Sequence, residues 1–490
     1  MEKPGTGGIW RSAIIMYMNA LRKWSTLLLV LVPLALGVVI PGGPEAFAFM
    51  DASQRAQAAN LAGNRNNELS ALKSMVPFQP WRAELWNRMG ELQYDTGAYA
   101  EAIQSFQTAS ENGQLSAQGQ FEIGKSWQAL GETEKAKQVY RAVSESGLAD
   151  AQLLLELALA QESLNDSIGT LATLLRAHGM APLDNAINYA LGIQFAATQP
   201  DNAIPFLENA AAETTYSTAS SALITLIQNT ASLGESAERS IYLGQELSTL
   251  AEWEAAASAF DKAVQIAPEN GIAWALLGES VQHVGEDGFD DLSRALELNP
   301  HSDIVNGLMA VYFRRQKKYD LAITYLYKAA ENNPNESTWQ VEIANTLAMQ
   351  GNVNDALIHF QVATLMDPEN WIPWRELATF CVSYNFSVNP IGLDAARKAL
   401  LLKPNSPSLL DLMGSAYMIM GDLDSAERFF TQALQVAPNQ AEILYHMGQL
   451  YLEKKETAQA LQYLRQAAQT TTDNRIRDNA NRLIQMNGGG

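Results

Sequence analysis

Cysteine is almost missing from this 490-residue chain, where Cys381 stands alone. One thiol makes no intramolecular disulfide and builds no cysteine-based metal site. Histidine is scarce as well. His178, His283, His301, His359 and His446 stand too far apart to form a His-x-x-x-His pair, so a structural zinc site is not expected. Positive charge is in deficit: 53 acidic residues oppose 33 lysines and arginines, a formal charge of −20. Binding a phosphate backbone needs a basic face that releases counterions, so nucleic acid is not an expected partner. Charged residues make up only 18% of the chain, low for a soluble helical protein, while an apolar fraction of 47% supplies ample material for burial.

Catalytic signatures are also lacking. No Walker loop, G-x-S-x-G or H-E-x-x-H occurs. Ser70 and Lys73 have the spacing of a Ser–Lys nucleophile pair, yet they fall on a helical stretch without partner motifs. Gly5-Thr6-Gly7-Gly8 follows no strand and is not a nucleotide loop. The acidic turn Glu286 to Asp291 lacks the alternating ligand positions of a calcium loop and reads as a solvated turn. Asn335-Glu336-Ser337 and Asn385-Phe386-Ser387 match the glycosylation sequon. The expectation is a protein without catalytic residues, cofactor or metal.

One long apolar run is present, from Trp24 to Ile40, preceded by Arg11, Arg22 and Lys23 and ended by Pro41-Gly42-Gly43-Pro44. As a membrane anchor it is short, since a span needs roughly 17–25 residues. As a secretory signal it is followed by Ala46-Phe47-Ala48, an A-x-A cleavage pattern that Pro44 would keep extended. A start at Met16 or Met18 would shorten the basic stretch before it. A buried core helix is a third reading. Both main readings place the rest of the chain outside the cytoplasm, either secreted or periplasmic after cleavage or membrane-anchored, because positive charge stays inside.

The strongest signal is periodic. Pro268, Pro300, Pro334, Pro368, Pro404 and Pro438 are separated by 32, 34, 34, 36 and 34 residues. Within that period Trp274-x2-Leu277-Gly278, Leu410-x2-Met413-Gly414-x2-Tyr417 and Leu444-x2-Met447-Gly448-x2-Tyr451 recur in phase. Ala256-x3-Phe260, Ala356-x3-Phe360 and Ala426-x3-Phe430 follow them. Small residues let helices approach closely, large aromatics fill the gap to the next helix, and proline ends each unit. The pattern resembles the tetratricopeptide repeat family. That resemblance implies an all-α fold, a right-handed superhelical solenoid of stacked helix–turn–helix repeats, here preceded by one hydrophobic N-terminal helix.

Unit starts are expected at 237, 271, 303, 337, 371, 407 and 441. The unit from 271 is short, through the Glu286–Asp291 turn, and the unit from 371 is long, through Tyr384 to Pro390. The N-terminal half repeats more faintly, with Gly63, Gly97 and Gly131 spaced by 34. Ala102-x3-Phe106 and Ala136-x3-Tyr140 are in phase with them, and Pro80 and Pro182 stand at unit ends. Units from 49, 83, 117, 151 and 185 follow. The expected organisation is a signal or anchor at 1–48, a degenerate array at 49–216, an irregular helical joint at 217–236, a second array at 237–472, and a capping helix with its tail at 473–490. Ile476, Ala480, Leu483 and Ile484 form the cap's apolar face.

In this family the first helix of each unit lines the concave surface. Carried onto this sequence, the lining positions include Gln245, Gln282, His283, Arg314, Arg315, Asn345, Met349, Arg375, Tyr445 and Gln449. Amides, arginines, an aromatic and a methionine suit an extended peptide or a glycan. The Lys/Asn carboxylate clamp of some family members is not found. Arg314 and Arg315 open a basic island, and Trp371 reads as a surface anchor. The expected function is a non-enzymatic scaffold, exported or membrane-tethered, that holds proteins or peptides in its groove. Alternatives are an accessory subunit for polysaccharide or glycan synthesis or export, and the substrate-recruiting part of a glycosyltransferase, for which residues 49 to 472 leave no catalytic domain.

Overall fold

The computed structural model describes residues 44–113 and 115–488. The apolar run and the basic residues before it lie outside them, so the expected signal or anchor has no structural description. Ala46, Phe47 and Ala48 are not extended; they belong to the first turns of a helix, Pro44–Leu61. No helix among the described residues is long and apolar enough to cross a membrane.

The described residues hold 26 α-helices, three short helical turns and no strand. Helices begin at Ala83, Ala117, Ala151, Asn185, Ala237, Gly271, Asp303, Ser337, Trp371, Pro407 and Ala441, the residues from which the repeat spacing counts each unit. Caps explain many of these starts. Ser116, Asp150, Asp184, Ser236 and Ser302 each accept the backbone N–H three residues on, which satisfies one of the orphan donors of a helix N-terminus.

Two side-chain rules hold the pairs together. The first concerns the small residue midway along the first helix. A Cβ built on Gly90, Gly124, Gly244 or Gly414 would stand 2.4–2.7 Å from the ring of Phe106, Tyr140, Phe260 or Phe430. The aromatic of the second helix therefore lies directly on the backbone of the first. The second rule concerns the turn between the paired helices, which takes a left-handed residue. Gly63, Gly97, Gly131 and Asn165, spaced by 34, have φ of 68, 81, 77 and 55°. In later units Ala251, Lys317 and Lys455 adopt the same backbone, with φ of 61, 59 and 64°.

The chain divides into two compact units, the first ending at Ile266 and the second starting at Ala267. The first contains six helix pairs and one additional helix, Thr214–Asn229, which buries Tyr216, Ser220, Leu223 and Ile227. Residues 217–236 consist of most of that helix, a 3-10 turn at Ala231–Leu233 and a short loop. They lie inside the first unit.

The second unit contains six pairs and a closing helix, Asn474–Met486. That helix buries Ala480 and Ile484 beside Leu444, Leu464 and Ala467, with Leu483 partly buried against them. In the short unit, the backbone of Gly288 lies against that of Gly278, so close that a Cβ on Gly288 would fall 2.0 Å from the Gly278 oxygen. The long unit absorbs its extra residues in a wide turn at Val388–Gly392 containing a cis Asn389–Pro390 bond.

Candidate functional site

The first helices of successive repeats bring the groove positions of the second unit into register, and several meet. From Asp303–Arg315, the Arg315 guanidinium reaches back to Gly271–His283. There its Nη1 donates to Glu279 Oε2 at 2.7 Å and to Gln282 Oε1 at 3.1 Å, and its Nη2 lies 2.9 Å from His283 Nε2. Glu279, Gln282 and His283 thus form one network around Arg315. Burial pushes the Glu279 carboxyl up, but hydrogen bonds from His283 and Arg315 outweigh it and hold the group below its ordinary range.

Arg314 turns the other way and pairs with Glu342 on the next first helix, Ser337–Gln350. On that helix Asn345 is half-buried and Met349 exposed. Arg375 folds onto its own neighbour, the buried Glu376, with Nε 2.9 Å from Oε1. All three arginines are paired. Glu342 and Glu279 meet Arg314 and Arg315 from neighbouring first helices, whereas Glu376 is the next residue on the helix of Arg375.

Trp371 is not a bare anchor either. It is half-buried, with Lys403 Nζ 3.9 Å and the Arg375 guanidinium 4.9 Å from its ring centroid. Further along, Tyr445 and Gln449 are hydrogen-bonded to each other at 3.2 Å. Their neighbour His446 has Nδ1 2.9 Å from Asp411 Oδ1 on the preceding first helix, Pro407–Ile419. Burial pushes the His446 ring down; the Asp411 charge and hydrogen bond override this and raise it. Gln245 belongs to the first unit, where it is exposed.

The sequence reading missed a feature of the first unit. A cavity of about 50 Å³ is lined by Leu155, Leu159, Tyr189 and Ile193, with Glu162 and Glu252 among its polar residues. Leu155 and Leu159 come from Ala151–Glu162, and Tyr189 and Ile193 from Asn185–Thr198. Tyr216 of the additional helix stacks on Tyr189, with centroids 4.8 Å apart. Applying the groove positions to the degenerate units from 151 and 185 would have named these residues. Cys381 is buried, and burial pushes its thiol up to about 11, so it is not a thiolate at neutral pH. No group of three His, Cys, Asp or Glu residues among the described residues is arranged to hold a metal.

Residues 83–111, 308–371 and 417–478 match family models of the tetratricopeptide repeat. These three segments carry tetratricopeptide repeats. Solved structures similar to this chain include yeast Tom70, at 11% identity and a TM-score of 0.43, covering 91% of this chain and 96% of that one. YrrB, described as a tetratricopeptide protein with an unusual peptide-binding site, is 21% identical with a TM-score of 0.30, covering 39% of this chain and 97% of its own. PilF of Pseudomonas aeruginosa is 19% identical with a TM-score of 0.35, covering 43% and 96%. No curated protein matches the chain. Within the matched tetratricopeptide segments lie Arg314, Arg315, Asn345, Met349, Tyr445 and Gln449.

Proposed function

We propose that this chain is a non-enzymatic scaffold that holds peptide segments of partner proteins on the face built by the first helices of its repeats. The observation that carries this reading is the set of side-chain bridges between successive first helices in the second unit. Glu279 joins Arg315, Arg314 joins Glu342 and Asp411 joins His446. Bridges of this kind fix a strip of alternating charge before any partner arrives, and preorganised groups lose less freedom on binding. An extended peptide lying across the helices would meet amides at Gln282, Asn345 and Gln449 beside those pairs. The scaffold is exported or tethered by Trp24 to Ile40, a reading supported by the basic flank and the Ala46–Ala48 pattern.

The test is site-specific photo-crosslinking in cells, with the reactive residue at Gln282, Asn345 or Met349 and, as control, at the exposed Ile358 or Leu365 of a second helix, Val353–Met366. Partner adducts are expected from the first three positions. Adducts only from the controls would move the binding face elsewhere. Protease added to intact cells or, where there is an outer envelope, to spheroplasts tests the location, and complete protection of the repeats there would refute export.

A further inference from the structure

A second pocket of the first unit has none of the groove residues in its lining. A cavity of about 370 Å³ opens where Pro200–Ala210 and Ala237–Thr249 begin, within the first unit. Its lining includes Asp201, Gly234, Glu235, Arg239 and Lys262. The volume is that of a small-molecule site. The helix Thr214–Asn229 comes between the helices whose N-termini meet there.

Arg239 is the unusual member. It is 4% exposed, and a buried cation is costly unless its donors are satisfied. Its Nη2 donates to Asp201 Oδ1 at 2.7 Å and to the Ile227 carbonyl at 3.2 Å, while Nη1 stands 3.3 Å from Asp201 Oδ2. Its Nε is buried with no partner. The carboxylate in this fork belongs to a side chain that is itself 70% exposed, so the counter-charge of a buried guanidinium sits at the solvent edge.

Lys262 stands nearby, half-buried, donating to the Thr198 carbonyl at 2.7 Å. The two helix N-termini add positive dipole ends. Gly234 has φ +59°, and a Cβ there would meet nothing within 4 Å.

We propose that this cavity binds a small ligand through its anionic group, a carboxylate or phosphate that takes the place of Asp201 on Arg239. Carboxylate and phosphate share the planar two-oxygen edge that a guanidinium fork accepts. Asp201 shows the geometry the fork accepts and also competes for it. Removing its charge therefore frees the site, whereas removing Arg239 destroys it.

Calorimetric titration of the full chain tests this, with succinate and inorganic phosphate as separate probes and sodium chloride at matched ionic strength as control. The ratio of the two affinities tells which anion class the cavity prefers. Asp201→Asn is expected to tighten binding of the preferred probe by about tenfold, the worth of one charged hydrogen bond. Lys262→Gln is expected to weaken it severalfold, and Arg239→Gln to abolish it. If Arg239→Gln does not fold, the opposite signs at Asp201 and Lys262 carry the test. Absence of binding by either probe to Asp201→Asn, or binding that Arg239→Gln leaves intact, would show Arg239 to be only a structural cross-link.

Discussion

Asn306 donates its side-chain amide to the Pro300 carbonyl at 3.0 Å. Trp274 makes the same bond to Pro268 with its indole at 2.8 Å, and Trp374 to Pro368 at 2.9 Å. Trp86 and Asn188 repeat it in the first unit, to Pro80 and Pro182 at 2.8 and 2.9 Å. The signature tryptophan of the repeat is therefore a donor as well as a packing group. Where present, it ties the first helix to the proline turn six residues earlier.

Asn306 is fully buried and also donates to the Ser302 carbonyl at 2.7 Å. Asn306→Ala removes both bonds without filling the space. A loss of about 1–2 kcal/mol is expected, since each hydrogen bond contributes roughly 0.5–1.5 kcal/mol. Chemical denaturation checks this through a lower midpoint with an unchanged slope. An unchanged midpoint would show that the bond is dispensable.

Ala251 holds the left-handed turn position at φ 61°, a conformation that costs an L-residue roughly 1–2 kcal/mol. Ala251→Gly removes that strain and gives part of it back as entropy of the unfolded chain. The expected net effect is stabilisation by about 0.5–1 kcal/mol, seen as a higher melting temperature. A glycine in the preceding helix, as in Thr249→Gly, is expected to act in the opposite direction.

The Glu279 network gives a pH dependence whose sign is fixed. Its folded-state pKa lies below the ordinary 4.5, so its contribution is complete above that value. It is lost as pH falls below 4.5 and through the folded pKa. Arg315→Ala removes one of the two partners that depress it and should flatten the acid limb of the melting curve by about 1 kcal/mol at most, because Arg315 is partly solvated. His446 acts with the opposite sign. Its pKa is raised above 6.5, so its pairing with Asp411 stabilises fully below that pH and fades as pH rises through the raised value. Asp411→Asn should abolish that alkaline loss. Melting temperatures from pH 3 to 9 on the parent and both variants separate the two effects.

The repeat frame was legible because glycine, alanine and proline mark backbone constraints that any tetratricopeptide unit must meet. Gly97 and Gly131 hold the left-handed turn for that reason, and Gly244 and Gly414 lie under an aromatic ring. The substitution of Asn306 or Asn188 for tryptophan was not legible, since an amide and an indole share only an N–H donor. The pairing of Arg314 with Glu342 and of Arg315 with Glu279 was hidden as well. It depends on which first-helix positions face each other across repeats, 28 and 36 residues apart. The apolar cavity around Leu155 and Tyr189 escaped because its units keep so little of the signature.

Ile484 tests the closing helix more sharply than Leu483. The spacing of apolar residues put both on the cap's buried face, but only Ile484 reaches the fully buried group with Ala480, while Leu483 sits at its edge. Ile484→Asp places a charge beside Leu444, Leu464 and Ala467 with no cation built to meet it, a cost of about 3 kcal/mol or more. Leu483→Asp can turn its carboxylate to water and should cost less than half of that. In a stack where each repeat leans on its neighbours, the damage stays local. Hydrogen exchange should quicken in Ala441–Glu453 and Thr457–Thr470 and remain unchanged in Asp303–Arg315. Equal protection of all three helices in Ile484→Asp would mean that the last helix contributes nothing to holding the repeats beside it.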